Sequence, residues 1–154
     1  MLPGQLQPSQ SVAALLRQGQ AYLDQQRSDE ALACFNHAIR LEPNSVAAYV
    51  KRGVLYQQRG QLNRALADFN RAIRLAPTFA LAYYSRGMLY TRQGHFYLAL
   101  ADFDEALRLH PSFAAAYNNR GLLYLQQGQL TSALADLEQA QYLQPANQAI
   151  AKIL

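Results

Sequence analysis

The word Ala65-Leu66-Ala67-Asp68-Phe69 returns unchanged at residues 99–103, and close copies stand at 133–137 and 31–35, each 34 residues after the last. Pro43, Pro77, Pro111 and Pro145 keep the same interval. So do Gly19, Gly53, Gly87 and Gly121, Tyr22, Tyr56, Tyr90 and Tyr124, and Ala38, Ala72, Ala106 and Ala140. Self-similarity at this period specifies a stacked architecture, because one short unit cannot bury its own apolar face and needs a neighbour to cover it. Four repeats follow, at 12–45, 46–79, 80–113 and 114–147, between a lead at 1–11, read as flexible, and a short tail at 148–154.

The spacing within a repeat is helical. Tyr49, Gly53 and Tyr56 share one helix face, and Ala65, Phe69 and Ala72 share another further on. Gly60, Gly94 and Gly128 fall between the two sets, where a helix ends with a residue in the left-handed region. Each Pro closes the second helix, and Asn44, Thr78 and Ser112 are expected to cap the next. A repeat is therefore helix, turn, helix, turn. The glycines of the first helix and the alanines of the second bring the pair close, with Tyr and Phe beside them. Arg52, Arg86 and Arg120 precede the key glycines, while Asp68, Asp102 and Asp136 lie in the repeated words. Repeat one has Gln18 and Cys34 instead. Their joint presence or absence predicts an Arg–Asp pair inside repeats two to four.

An aromatic, then Gly and Tyr, then Ala, Phe, Ala and Pro in fixed order over 34 residues resembles the tetratricopeptide repeat, and the likeness covers residues 12–147. Departures are Leu15, Tyr49, Tyr83 and Tyr117 at the family's frequent Trp, Gln26 where the other repeats have Gly, and Leu137 for Phe. The resemblance implies an all-α, right-handed α-solenoid of antiparallel helical hairpins. It also implies a concave groove lined by first helices and used for a peptide or helix of another protein. The positions left over from packing name the candidates: Val50, Lys51, Val54, Tyr84, Ser85, Met88, Arg92, Asn118, Asn119 and Leu122. They combine an apolar floor with cationic and amide groups, and Asn offers a ligand backbone both a donor and an acceptor. The subclass that grips chaperone tails uses two Lys, two Asn and a further cation. Its positions hold Leu16, Gln20, Lys51, Leu81 and Ser85 here, or Val50, Val54, Ser85, Ala115 and Asn119 one repeat on. No such clamp is expected.

Other chemistry finds little support. His37, His95 and His110 occupy different places in the repeat, and the glycines are spaced rather than clustered around a phosphate. Metal-ligand spacing is missing. Asp102, Asp104 and Glu105 read as a solvated helix face and Cys34 as a structural residue. Neither an enzyme nor a cofactor is expected. One cysteine permits no internal disulfide, which points to a reducing, cytoplasmic setting, and no apolar run is long enough to span a bilayer.

The net charge of +4 is concentrated in repeat two, where six Lys and Arg face Asp68 alone. Arg59, Arg64, Arg71 and Arg74 form a basic face suited to an acidic partner. A nucleic-acid binder would carry its charge along the whole surface. The expected function is a non-catalytic adaptor or assembly scaffold with a protein partner. The alternative is a self-associating scaffold, or an accessory domain of a larger protein, acting through its stack ends or the basic face. Gln141 hints at a polar end, and the tail, with Ile150, Ile153 and Leu154, is either a cap or a cut fifth helix.

Overall fold

The computed structural model describes residues 10–145, so the expectations for the extreme lead and for the tail lie outside it. Eight helices and no strand occur among the described residues: α1 (Val12–Asp24), α2 (Ser28–Leu41), α3 (Val46–Gln58), α4 (Leu62–Leu75), α5 (Ala80–Arg92), α6 (Phe96–Leu109), α7 (Ala114–Gln126) and α8 (Leu130–Leu143). They pair in sequence as four hairpins, in the register read from the repeat. The chain divides between Leu75 and Ala76 into two compact halves, each of two hairpins. Within the first half α2 packs on α3, and within the second α6 packs on α7.

The inward face of every second helix is the one the repeated word encodes. Ala31, Phe35 and Ala38, Ala65, Phe69 and Ala72, and Ala99, Phe103 and Ala106 are all fully buried, and Ala133, Leu137 and Ala140 nearly so. Opposite them stand the first-helix glycines. A methyl group added to Gly53 would lie 2.7 Å from the Phe69 ring, one at Gly87 2.8 Å from Phe103, and one at Gly19 would collide with Phe35. At Gly121 the opposing residue is Leu137, whose Cγ is 3.0 Å away. The Gly–aromatic contact thus sets how closely the two helices of a hairpin approach.

The turns follow one design. In hairpin two, Gly60 N donates to Gln57 O at 3.0 Å and Gln61 N to Tyr56 O at 2.8 Å. With Gly60 at φ 74°, this is a Schellman ending that satisfies the last carbonyls of α3. Hairpin one makes the same pair of bonds with Gln26 at φ 60°, a conformation that disfavours a residue with a Cβ.

The expected caps shift by one residue. Ser45, not Asn44, caps α3, accepting from Ala48 N at 3.4 Å. Phe79 and Phe113 occupy that place on α5 and α7, so neither Thr78 nor Ser112 caps. Apolar contact replaces the cap at Phe113, whose ring lies 4.8 Å from that of Tyr84. Tyrosine at the family's Trp position also has local work: Tyr49 Oη donates to Pro43 O at 3.0 Å and Tyr83 Oη to Pro77 O at 2.9 Å, tying each helix to the turn before it.

Gly87→Ala is expected to lower stability by about 1–2 kcal/mol, overpacking against Phe103 outweighing the gain in helix propensity, and Gly121→Ala to be near neutral against the more yielding Leu137. Urea unfolding of the two variants checks the contrast. Gln26→Gly is expected to raise stability by about 0.5–1 kcal/mol by relieving the left-handed residue, seen as a higher melting temperature.

Candidate partner-binding face

Each Arg–Asp pair predicted from the repeat is present and bidentate. Arg52 donates to Asp68 at 2.8 and 2.7 Å, Arg86 to Asp102 at 2.8 and 2.7 Å, and Arg120 to Asp136 at 2.7 and 2.8 Å. The carboxylates are 4–6% exposed. Their bonds raise the three guanidinium pKa values above the ordinary range, against the opposing effect of burial. Arg52 and Arg120 also reach the preceding hairpin: Arg52 donates to Asn36 on α2 at 3.0 Å and Arg120 to Asp104 on α6 at 2.7 Å. The pair therefore holds a hairpin closed and, within a half, docks it on its neighbour. In hairpin one Gln18 donates instead to Tyr22 Oη at 3.5 Å, and Cys34 is buried, which pushes its thiol pKa up.

The acidic run on α6 is not a uniform solvated face. Asp102 is buried in its pair, Asp104 meets Arg120, and Glu105 meets Arg108 at 2.5 Å. No group of three or more His, Cys, Asp or Glu side chains that could hold a metal occurs among the described residues.

The candidates divide between the halves. On the first, Val50 is 4% exposed and gives a ligand almost no surface. Lys51 and Val54 are half-buried. Lys51 Nζ donates to Gln20 Oε1 at 3.3 Å, and Gln20 Nε2 to Asp24 Oδ1 at 3.2 Å, so α3 and α1 share a polar chain. The charge of Lys51 is thereby held beside α1.

On the second half Ser85 is also buried, at 5%. Tyr84 and Met88 are half-buried and pack on the cluster of Ala99, Phe103 and Leu123. Asn119 Nδ2 donates to both Tyr84 Oη and Ala115 O at 2.9 Å. Both amide protons are thus committed, and Asn119 offers a ligand its oxygen only, a correction to the donor-and-acceptor reading. Burial pushes the Tyr84 phenol pKa up, and the bond from Asn119 works against it. Asn118 is half-buried, Arg92 exposed and Leu122 37% exposed on the same helices. Leu81 and Leu125, each 41% exposed, extend this apolar rim.

The basic residues of repeat two also separate. Arg59 meets Asp29 at 2.6 Å, which offsets its charge. Arg64, Arg71 and Arg74 lie on α4, the first and last exposed and Arg71 half-buried.

Asp136→Ala is expected to cost about 2 kcal/mol, because it removes the bidentate, buried partner of a half-buried guanidinium and leaves it only the exposed Asp104 carboxylate. A double-mutant cycle with Arg120→Ala, followed by urea unfolding, measures the coupling, expected to be strongly non-additive.

The sequence matches two family models, both described as tetratricopeptide repeat, over residues 18–83 and 84–148. Among solved structures, MamA is 25% identical, with a TM-score of 0.75 over 91% of this chain and 82% of that one. A thermophilic TPR protein of Thermus thermophilus is 26% identical, with a TM-score of 0.80 over 88% of this chain and 75% of that one. The first TPR of Spaghetti (RPAP3), bound to the HSP90 peptide SRMEEVD, is 24% identical at a TM-score of 0.71 over 81% and 99%, a likeness of fold alone. No curated protein matches the chain.

Proposed function

This chain belongs to the tetratricopeptide repeat family, all-α and of the helical-solenoid class, and from that premise we propose that it is a non-catalytic adaptor or scaffold. In this reading it holds a peptide or helix of a partner protein on the face of α5 and α7. The observation that carries the reading is the partly exposed side of α5 and α7, where the Asn119–Tyr84 bond joins the helices and Met88, Leu122 and Leu125 lie on the same two helices. Rigid aromatic and apolar anchors beside a fixed amide acceptor suit a segment with apolar side chains and a backbone N–H to donate. A protein of the same fold is bound to an HSP90 peptide. The positions of a chaperone-tail clamp carry Leu16, Gln20, Lys51, Leu81 and Ser85 here, so a different segment is proposed. Among the described residues no helix is long and apolar enough to cross a membrane.

A second reading, self-association through the stack end, rests on α8. Leu130, Leu134 and Tyr142 are 65%, 49% and 79% exposed there, at spacings that place them along one side of the helix.

The purified chain serves as bait in lysate of its source organism, beside Tyr84→Ala/Asn119→Asp and a surface variant, Leu122→Glu/Arg92→Glu, that spares the packed residues. The segment identified is expected to bind at least about tenfold more weakly to both variants by calorimetry. Equal binding would move the site off this face. Mass that rises with concentration, and falls for Leu134→Glu, favours the second reading.

A further inference from the structure

The outer side of α4 carries a feature that its counterparts in the other hairpins lack. Arg64, Ala67, Arg71 and Arg74 recur at intervals of three and four, on a flank away from the buried Ala65, Phe69 and Ala72. At 1.5 Å per residue the three guanidiniums span about 15 Å of helix, with a small residue between the first two. The same register holds Glu30, Ala33, His37 and Arg40 in hairpin one, Leu98, Ala101, Glu105 and Arg108 in hairpin three, and Ser132, Ala135, Gln139 and Tyr142 in hairpin four. In hairpin three the cation is offset by its own Glu105. On α4 the one acidic residue, Asp68, is buried and committed to Arg52.

The stripe is also braced. Arg64 lies over the Tyr56 ring at 5.7 Å and Arg71 over Tyr49 at 6.0 Å. Arg52 fills the space between the two rings, 5.7 Å from Tyr49 and 5.6 Å from Tyr56. The order Arg71, Tyr49, Arg52, Tyr56, Arg64 is a continuous cation–π ladder running from α3 to α4. Stacking holds a guanidinium by its face and leaves its N–H edge for a planar anion, at less entropic cost than a loose side chain. Asn44 further steadies Arg71, accepting from Nη2 at 3.4 Å.

We propose that this stripe on α4 is a second docking surface, made of other residues than the face of α5 and α7, and that it takes an acidic segment of a partner protein. The segment presents Asp or Glu carboxylates at about the spacing of Arg64, Arg71 and Arg74, and each pairs edge-on with one guanidinium. Charge confinement favours a short acidic segment over a nucleic acid. The three other repeats carry balances of −1, 0 and −1, so a long polyanion meets no continuing track.

The test uses the full chain and an Ala-rich helical peptide of about 20 residues carrying Glu at i, i+7 and i+10, read by fluorescence anisotropy. Arg64→Glu/Arg71→Glu is expected to weaken binding by roughly tenfold or more. Arg64→Lys/Arg71→Lys, which keeps the charge and loses the planar fork, is expected to weaken it a few-fold. Tyr84→Ala is expected to leave it unchanged, which separates this surface from the partner-binding face. Affinity that survives charge reversal in a variant with an unaltered melting curve overturns the proposal. So does tighter binding of a DNA oligonucleotide of equal charge, which would make the stripe a general polyanion site. Equal binding of a peptide with the same glutamates placed side by side overturns it as well.

Discussion

Everything else in the architecture is arranged around one contact, the ring of Phe35, Phe69 or Phe103 seated on a first-helix glycine that has no Cβ to hold it off. The contact fixes the separation of the two helices, and that separation lets the alanines of the second helix be fully buried. It also places Arg52, Arg86 and Arg120, one residue before the glycines, beside Asp68, Asp102 and Asp136, one residue before the ring or, in the last hairpin, before Leu137. A polar pair and an apolar contact side by side give each hairpin both tightness and register. A buried carboxylate tolerates one partner geometry far better than its alternatives.

The same pairs organise the next level. Arg52 reaches Asn36 and Arg120 reaches Asp104, so the side chain that closes a hairpin also touches the one before it. Stability and stacking are therefore coupled inside each half, as expected for a chain whose repeats bury surface only against their neighbours. What the packing does not consume stays at the surface. On the second half that is the face of α5 and α7 around Tyr84, and on the first the cation–π ladder that ends in the stripe on α4. One is apolar with a fixed acceptor, and the other is cationic and rigid.

Sequence reading succeeded where residues repeat because their surroundings repeat. The glycines, the buried alanines, the turns at Gly60, Gly94 and Gly128, and the Arg–Asp pairs each occupy one environment several times over, so the pattern reports the environment. It failed where a residue's role depends on a neighbour that varies. Asn44, Thr78 and Ser112 have capping side chains but stand one residue too early, Phe79 makes no side-chain cap, and Phe113 exchanges the cap for packing on Tyr84. Val50 and Ser85 sit on the expected face and yet are buried.

The repeat by itself determined the all-α class, the helix order and the contact inside each hairpin, because helical spacing at a fixed period leaves the apolar face of each helix to be buried against its partner and the next hairpin. Tertiary structure decided what each polar group is free to do. Asn119 spends its donors on Tyr84, 35 residues away, and on Ala115. Lys51 is held by Gln20, 31 residues away, and Arg59 is met by Asp29, 30 residues away. Residue type names which bonds a side chain is able to make. Which of them remain for a partner is settled only when distant helices pack against each other and spend the rest.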